Sequence, residues 1–203
     1  MPAAPLRRED VRRTVVLFVD DVSMSSDSVP AVRNGLRKFI EKQLQPGDLA
    51  GIVRASAGLG TLRDLTTDRR MLLAAADQVR WNPTGRGLTV AVATSLRRLL
   101  HGMADLPGRK SVVILSDNLP LPTPDDAQRH VVDESVRAGV VIYEIGTRGV
   151  TPGAYRSGLT PLDPQAADIF KPPKTDNKQG AMFLATQTGG FMVMANQIGR
   201  AHV

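Results

Sequence analysis

Short apolar runs without polar alternation recur along the chain, and segments of helical periodicity separate them. The clearest run, residues 14–19, reads Thr-Val-Val-Leu-Phe-Val, and a continuous run of this kind is typical of a strand buried on both faces of a sheet. Because strand and helix patterns alternate, we predict an α/β fold with a mainly parallel sheet and helices on both faces. The later strands are expected at residues 49–54, at a short edge within 57–62, and at 111–115, 140–145 and 190–195.

Helices are predicted between these runs from apolar residues spaced three and four apart. Ser28 is placed to cap the first helix, and Thr67 or Asp68 to cap the second. The third begins near Leu88 and stops before Pro107-Gly108. In an open sheet of this type, ligands bind at the carboxyl ends of the strands.

Composition places the chain among ordinary globular domains. Its 203 residues suffice for one well-buried domain. The apolar runs have five or six residues, far fewer than the roughly 20 that span a bilayer, so no membrane span is expected. The absence of cysteine excludes disulfides and thiolate metal sites. The net charge of +6 is accompanied by one Trp, two Tyr and five Phe, mostly within apolar runs, so nucleic-acid binding is not expected.

We divide the chain into one domain and two short terminal segments. Residues 1–12 form a polar lead, residues 13–196 form the domain, and residues 197–203 are expected to be a non-native tail. Residues 198–203 are the translation of a nucleotide string that resembles a sequencing-library adapter. On that interpretation the natural protein continues beyond about Asn196 with a different sequence, and a secretion signal can precede Met1. We therefore expect an extracytoplasmic or secreted location in the parent protein.

A segment rich in carboxylates and hydroxyls, Asp-Asp-Val-Ser-Met-Ser at residues 20–25, directly follows the first apolar run. In an extended segment, residues two apart point the same way, so Asp21, Ser23 and Ser25 can converge on one point. Their oxygens are the ligands that Mg²⁺ prefers. Taken alone, the same residues are ordinary strand-end loop or helix-cap residues, so the segment needs support from the rest of the chain.

Two further positions supply that support. Asp117 follows the buried strand at residues 111–115, and Thr89 lies at the start of the third helix. If this strand and the first are neighbours, their carboxyl ends bring Asp21 and Asp117 to one rim, with the Thr89 hydroxyl between them. The sequence therefore predicts a site for a divalent cation, Mg²⁺ or Mn²⁺, at this rim.

This order of Asp-x-Ser-x-Ser, Thr and Asp resembles the metal-ion-dependent adhesion site of von Willebrand factor A domains. Phrases such as Phe18-Val19-Asp20-Asp21, Gln45-Pro46-Gly47-Asp48 and Leu106-Pro107-Gly108-Arg109-Lys110 are similar to those of bacterial, acidobacterial-type A-domain-related proteins. The resemblance implies a doubly wound, Rossmann-like sheet of about six strands. It also implies that the ion is held by the carboxylates and hydroxyls of Asp21, Ser23, Ser25, Thr89 and Asp117.

Because two aspartates stand side by side, either of them can be matched to the first acidic position of the adhesion-site motif. Counting from the apolar strand places Asp20 at the usual acidic position, whereas the Asp-x-Ser-x-Ser pattern places Asp21 there. We favour Asp21 as the ligand, with Asp20 supporting it from behind. Asn118 stands where many A domains have glycine, so the site departs from the common pattern.

The expected function is to bind a protein partner through an acidic side chain that completes the coordination of the cation. On this interpretation the domain is an adhesion-type module and not an enzyme. One alternative is a Mg²⁺-dependent Rossmann-like hydrolase or phosphotransferase that uses Asp20, Asp21 and Asp117. Another is a structural A-like domain whose metal site has decayed. An enzyme would need a base or nucleophile near the metal and an enclosed pocket, whereas an adhesion site is shallow and open.

Overall fold

A five-stranded parallel sheet forms the centre of the molecule. The computed structural model describes residues 7–57, 65–82, 88–117, 119, 121, 126–147 and 178–194. Along the sheet the strands lie in the order β2-β1-β3-β4-β5, and every neighbouring pair is parallel. In chain order they are β1 (Arg13–Val19), β2 (Asp48–Arg54), β3 (Arg109–Ser116), β4 (Val140–Gly146) and β5 (Met192–Met194).

In the described part of the chain, five α-helices connect the strands and cover both faces of the sheet. Their bounds are α1 (Val29–Lys42), α2 (Arg69–Asp77), α3 (Leu88–Met103), α4 (Asp126–Ala138) and α5 (Lys178–Gln187). Short 3₁₀ turns at Arg8–Asp10 and Ser26–Ser28 precede β1 and α1. The side chain of Asp68 caps α2 by accepting a hydrogen bond from the backbone N–H of Arg70 at 2.8 Å.

Two hydrophobic cores form because successive side chains of a strand point to opposite faces of the sheet. Val15, Leu17 and Val19 of β1 pack on the face covered by α1 and α2. Val16 and Phe18 pack on the face covered by α3, α4 and α5. Val15 to Val19 are all at most 3% exposed, which explains why β1 shows no polar alternation.

Glycines in the left-handed conformation start three of the strands. Gly47, Gly108 and Gly139 each directly precede a strand, with φ of +86°, +74° and +64°. Gly189 follows α5 with φ of +85°, as expected for a helix that stops at Thr-Gly-Gly. The chain therefore turns from helix to strand at positions where a side chain would be strained.

The structure confirms the mainly parallel α/β sheet and the adjacency of β1 and β3. It shows five strands where about six were expected. An isolated antiparallel bridge joins Ala50 to Thr66, but most of the predicted edge at residues 57–62 lies outside the described residues. Residues 148–177, between β4 and α5, and the predicted tail at residues 197–203 also lie outside the described residues. No helix in the described part of the chain is long and apolar enough to cross a membrane.

Candidate functional site

The candidate site lies where β1 and β3 end at the same rim of the sheet. The two strands pair in parallel along the whole of β1, with Val19 opposite Leu115. The pairing continues one residue further, since the backbone N–H of Asp20 donates to the carbonyl oxygen of Leu115 at 3.0 Å. Ser116 and Asp117 therefore emerge beside Asp20, as their positions after the strands predicted.

Asp20 is fully buried and accepts hydrogen bonds from two serines. The Ser23 hydroxyl lies 2.7 and 2.6 Å from its two carboxylate oxygens, and the Ser23 backbone N–H donates at 3.1 Å. The Ser116 hydroxyl donates at 2.8 Å. Burial raises the pKa of Asp20, and these hydrogen bonds oppose that shift by stabilising the ionised form. The carboxylate is thus held in a fixed orientation beneath the rim.

Asp117 is the centre of a second, neighbouring group of hydroxyls. One of its carboxylate oxygens accepts from the Ser25 backbone N–H at 2.8 Å, the Ser25 hydroxyl at 3.0 Å and the Ser28 hydroxyl at 2.8 Å. The other accepts from the Thr147 hydroxyl at 2.5 Å. Asp117 and Ser25 are half-buried, so this part of the rim is open to solvent.

Asp21 faces a different part of the rim. Its carboxylate accepts from the Ser56 backbone N–H at 2.9 Å and from the Ser56 hydroxyl at 2.5 Å. The Arg54 guanidinium lies 3.9 Å from one of the Asp21 carboxylate oxygens. The backbone carbonyl of Asp21 accepts a hydrogen bond from the Asn82 N–H at 3.0 Å. Asp21 therefore fixes the loops after β2 and α2, and no hydrogen bond joins its carboxylate to Ser23 or Ser25.

The premise of an extended segment was wrong for residues 21–24. They form a turn, in which the Met24 N–H donates to the carbonyl oxygen of Asp20 at 3.3 Å. A turn brings residues three apart together, so Ser23 meets Asp20 and not Asp21. Ser23 therefore bonds to Asp20 and Ser25 bonds to Asp117, whereas the carboxylate of Asp21 bonds to Ser56. The side chain of Thr89 lies outside the described residues.

Three residues of the site were not predicted as part of it. Ser28 was expected to cap α1, but its hydroxyl makes no cap hydrogen bond and lies against Asp117 and, at 2.9 Å, against the Ser25 hydroxyl. Ser116 precedes Asp117, and Thr147 directly follows β4. The available signal was the recurrence of hydroxyl residues directly at strand ends, which Ser116 and Thr147 share with the segment after β1.

Glu144 is a further buried acid on the same side of the sheet. It lies on β4 opposite Ile114, is 3% exposed, and its Oε2 atom has no hydrogen-bond partner within the described residues. Burial, together with the negative charge of Asp20, raises its pKa to about 8. At pH 7 the carboxyl group of Glu144 is therefore mostly protonated and neutral.

The donor set suits a hard divalent cation. Its side-chain oxygens come from two carboxylates and from serine and threonine hydroxyls, which match the preference of Mg²⁺ and Mn²⁺ for oxygen ligands. Among the residues that the structure describes, no three Asp, Glu, His or Cys side chains form a cluster suited to a metal. Asp20, Ser23, Ser25 and Asp117 are the residues that would hold the ion.

Comparison with known proteins identifies the fold. No protein-family model and no curated protein sequence matches the chain. Among solved structures, BatB from Bacteroides thetaiotaomicron is similar, with a TM-score of 0.60 and 11% identity over 94% of each chain. An aerotolerance-related membrane protein from Bacteroides fragilis has a TM-score of 0.59 and 12% identity over 93% of this chain and 95% of that one. Manganese-loaded TRAP protein from Plasmodium vivax has a TM-score of 0.52 and 13% identity over 94% of this chain and 71% of that one.

The fold is von Willebrand factor A-like. At identities of 11 to 13% the likeness establishes the fold alone. Within an A-like fold, the carboxyl ends of the central strands are the place for a ligand, and here that place holds Asp20 and Asp117.

Proposed function

We propose that this A-like domain binds a divalent cation, Mg²⁺ or Mn²⁺, at the rim formed by Asp20, Ser23, Ser25 and Asp117. Through that ion it would bind an acidic side chain of a protein partner. The observation that carries the proposal is that two carboxylates follow the adjacent ends of neighbouring strands and that hydroxyls hold each of them in place. The bound cation would supply a positive centre that attracts the partner's carboxylate.

Each residue of the site has a distinct part in this proposal. Asp20 forms the buried floor, where its orientation is set by Ser23 and Ser116. Asp117 is the accessible carboxylate, and the hydroxyls around it keep its oxygens at the rim. Because these side chains are already ordered by hydrogen bonds, little conformational entropy remains to be lost when an ion binds.

Two comparisons support the proposal. The TRAP protein structure is manganese-loaded, so one protein of similar fold is known with a divalent cation. The Bacteroides fragilis protein is described as a membrane protein related to aerotolerance, which agrees with an extracytoplasmic location for this domain. We also propose that the domain is a binding module and not an enzyme, because the accessible part of the site is a half-buried rim.

Metal binding is tested by unfolding experiments with MgCl₂, with MnCl₂ and with EDTA. A ligand that binds only the folded state at a hundredfold excess over its dissociation constant should raise the free energy of unfolding by about 2.7 kcal/mol. Asp117→Asn should abolish this gain. Asp133→Asn, an exposed acid on α4, is the matched control and should retain it. Identical curves for the wild type in metal and in EDTA would refute the metal site.

Partner binding needs a second experiment. The purified domain is immobilised and exposed to an acidic peptide library and to the same peptides amidated at their carboxylates, in Mg²⁺ or in EDTA. Retention of the acidic peptides only with Mg²⁺, and its loss in Asp117→Asn, is expected. Retention that is equal with EDTA would show that the partner surface lies elsewhere on the domain.

A further inference from the structure

A polar cavity lies at the opposite end of the sheet from the candidate metal site. It has a volume of about 480 Å³, which falls within the range of small-molecule sites. The first residues of β1, β2 and β3 meet there. Its polar lining comprises Glu9, Arg12, Arg13, Gln45, Asp48 and Arg109.

Two similar turns build this cavity. Pro46-Gly47-Asp48 leads into β2 and Pro107-Gly108-Arg109 leads into β3, and both glycines press against the backbone around Arg12. A Cβ atom on Gly47 would lie 3.3 Å from the Cγ atom of Arg12, and one on Gly108 would lie 2.9 Å from its carbonyl carbon and oxygen.

Backbone hydrogen bonds also join these turns to the residues around Arg12. The Arg12 N–H donates to Gly47 O at 3.0 Å, and the Arg109 N–H donates to Arg12 O at 3.2 Å. Arg12 and Arg109 are thereby fixed next to each other at one end of the sheet. Their positions depend on the fold and not on an adaptable loop.

The charges in the cavity are not all neutralised within it. Arg13 donates to both carboxylate oxygens of Asp48, with 2.9 Å between Nε and Oδ1. Burial acts to raise the pKa of Asp48, but hydrogen bonds from Arg13 and Gln45 and the charges of Arg13 and Arg12 outweigh it and lower that pKa. This carboxylate therefore stays ionised and pairs with Arg13.

Two guanidinium groups remain available. Within the described part of the chain, the side chains of Arg12 and Arg109 make no hydrogen bond or close ion pair, and both are exposed. The charge of Arg12 acts on Asp48 only through space. The Glu9 carboxylate pairs with Arg7 at 3.6 Å. Two arginines that line the cavity are thus left unpaired, and a hydrogen bond joins their backbones.

We propose that this cavity is a phosphate-binding site in which Arg12 and Arg109 hold the anion. A guanidinium group offers parallel N–H donors that match two oxygens of a phosphate, and a dianion would balance two such groups. The site is separate from the rim at Asp20 and Asp117, and it does not depend on bound metal. The shared chemistry is that of a phosphate group, whether inorganic or part of a small phosphate monoester.

The proposal is tested by titrating the ¹⁵N-labelled protein in EDTA at constant ionic strength with inorganic phosphate, with phosphoserine or with acetate. Phosphate should cause saturable shifts of the amide signals of Arg12, Gly47, Gly108 and Arg109. Arg12→Gln combined with Arg109→Gln should weaken binding by about tenfold or more. Stronger binding of phosphoserine than of phosphate would assign the ligand to the monoesters, and the reverse would assign it to inorganic phosphate.

A control variant distinguishes binding at this cavity from nonspecific attraction of anions to the positively charged protein. Arg98→Gln removes an exposed arginine from α3 and lowers the net charge by one, and it should leave phosphate binding unchanged. Circular dichroism verifies that each variant is folded. Shifts that do not saturate, acetate shifts equal to those with phosphate, or equal weakening by Arg98→Gln would overturn the proposal.

Discussion

Replacing Glu144 with glutamine is expected to stabilise the domain at neutral and alkaline pH. Glu144 is buried in the core, and burial together with the charge of Asp20 raises its pKa from 4.5 to about 8. In the unfolded chain the carboxyl has its ordinary pKa. Between these two values the folded state binds a proton that the unfolded state lacks, so the free energy of unfolding falls as pH rises.

The magnitude follows from the difference between the two pKa values, at about 1.4 kcal/mol per unit. The contribution of Glu144 is fully present below about pH 4.5 and decreases as pH rises to about 8, where the total loss is about 5 kcal/mol. At pH 7 the loss is about 3 kcal/mol. Since glutamine does not ionise, the Glu144→Gln variant should match the wild type near pH 4.5 and exceed its stability by these amounts at higher pH.

Urea unfolding between pH 4.5 and 9, followed by circular dichroism in EDTA, measures this difference. The raised pKa of Asp20 contributes a pH dependence of the same sign that both proteins retain. Glu41→Gln, an exposed position on α1, serves as the control and should follow the wild type. A difference between Glu144→Gln and the wild type that stays constant across this range would refute the assignment of Glu144 as a buried, neutral acid.

Two further predictions concern the backbone and use the same unfolding assay at pH 7. A Cβ atom on Gly190 would lie 1.9 Å from the carbonyl oxygen of Ile142, so Gly190→Ala should lower the free energy of unfolding by about 3 kcal/mol or more. Gly189→Ala meets only the strain of its left-handed φ and should cost about 1 to 2 kcal/mol, and equal losses for the two variants would contradict this account. Asp68→Ala removes the acceptor for the N–H of Arg70 and should lower the urea midpoint; an unchanged midpoint would show that this cap does not stabilise the fold.

The sheet could be predicted from the sequence because strands that are buried on both faces consist almost entirely of apolar residues. Residues 14–19 and 111–115 are almost entirely apolar, and they form β1 and β3 at the centre of the sheet. Small residues carry a weaker signal. On α2, for example, Ala76 is fully buried whereas its neighbour Ala75 is only half-buried. Alanine suits either face of a helix, so spacing alone did not separate the two.

The sequence predicted which strand ends would be neighbours, but it did not predict the hydrogen bonds that the polar residues make there. Position after a strand was enough to bring Asp117 beside β1. It was not enough to choose between Asp20 and Asp21, because that choice depends on a turn that the pattern of residue types did not reveal. Ser28 shows the same limit, since the acceptor that draws its hydroxyl away from capping α1 lies 89 residues away in the sequence. Contacts of that separation arise only once the sheet has formed.

The central place of β1 also determines how the domain would carry mechanical force. β1 pairs in parallel with β2 on one side and with β3 on the other over its full length. It runs from Arg13, beside the cavity that Arg12 and Arg109 line, to the rim at Asp20, a span of about 23 Å. A partner that pulls at the rim against an anchor at the other end would load β1 along its axis. Both ladders of hydrogen bonds would then resist in shear, so they would have to break together and not one after another.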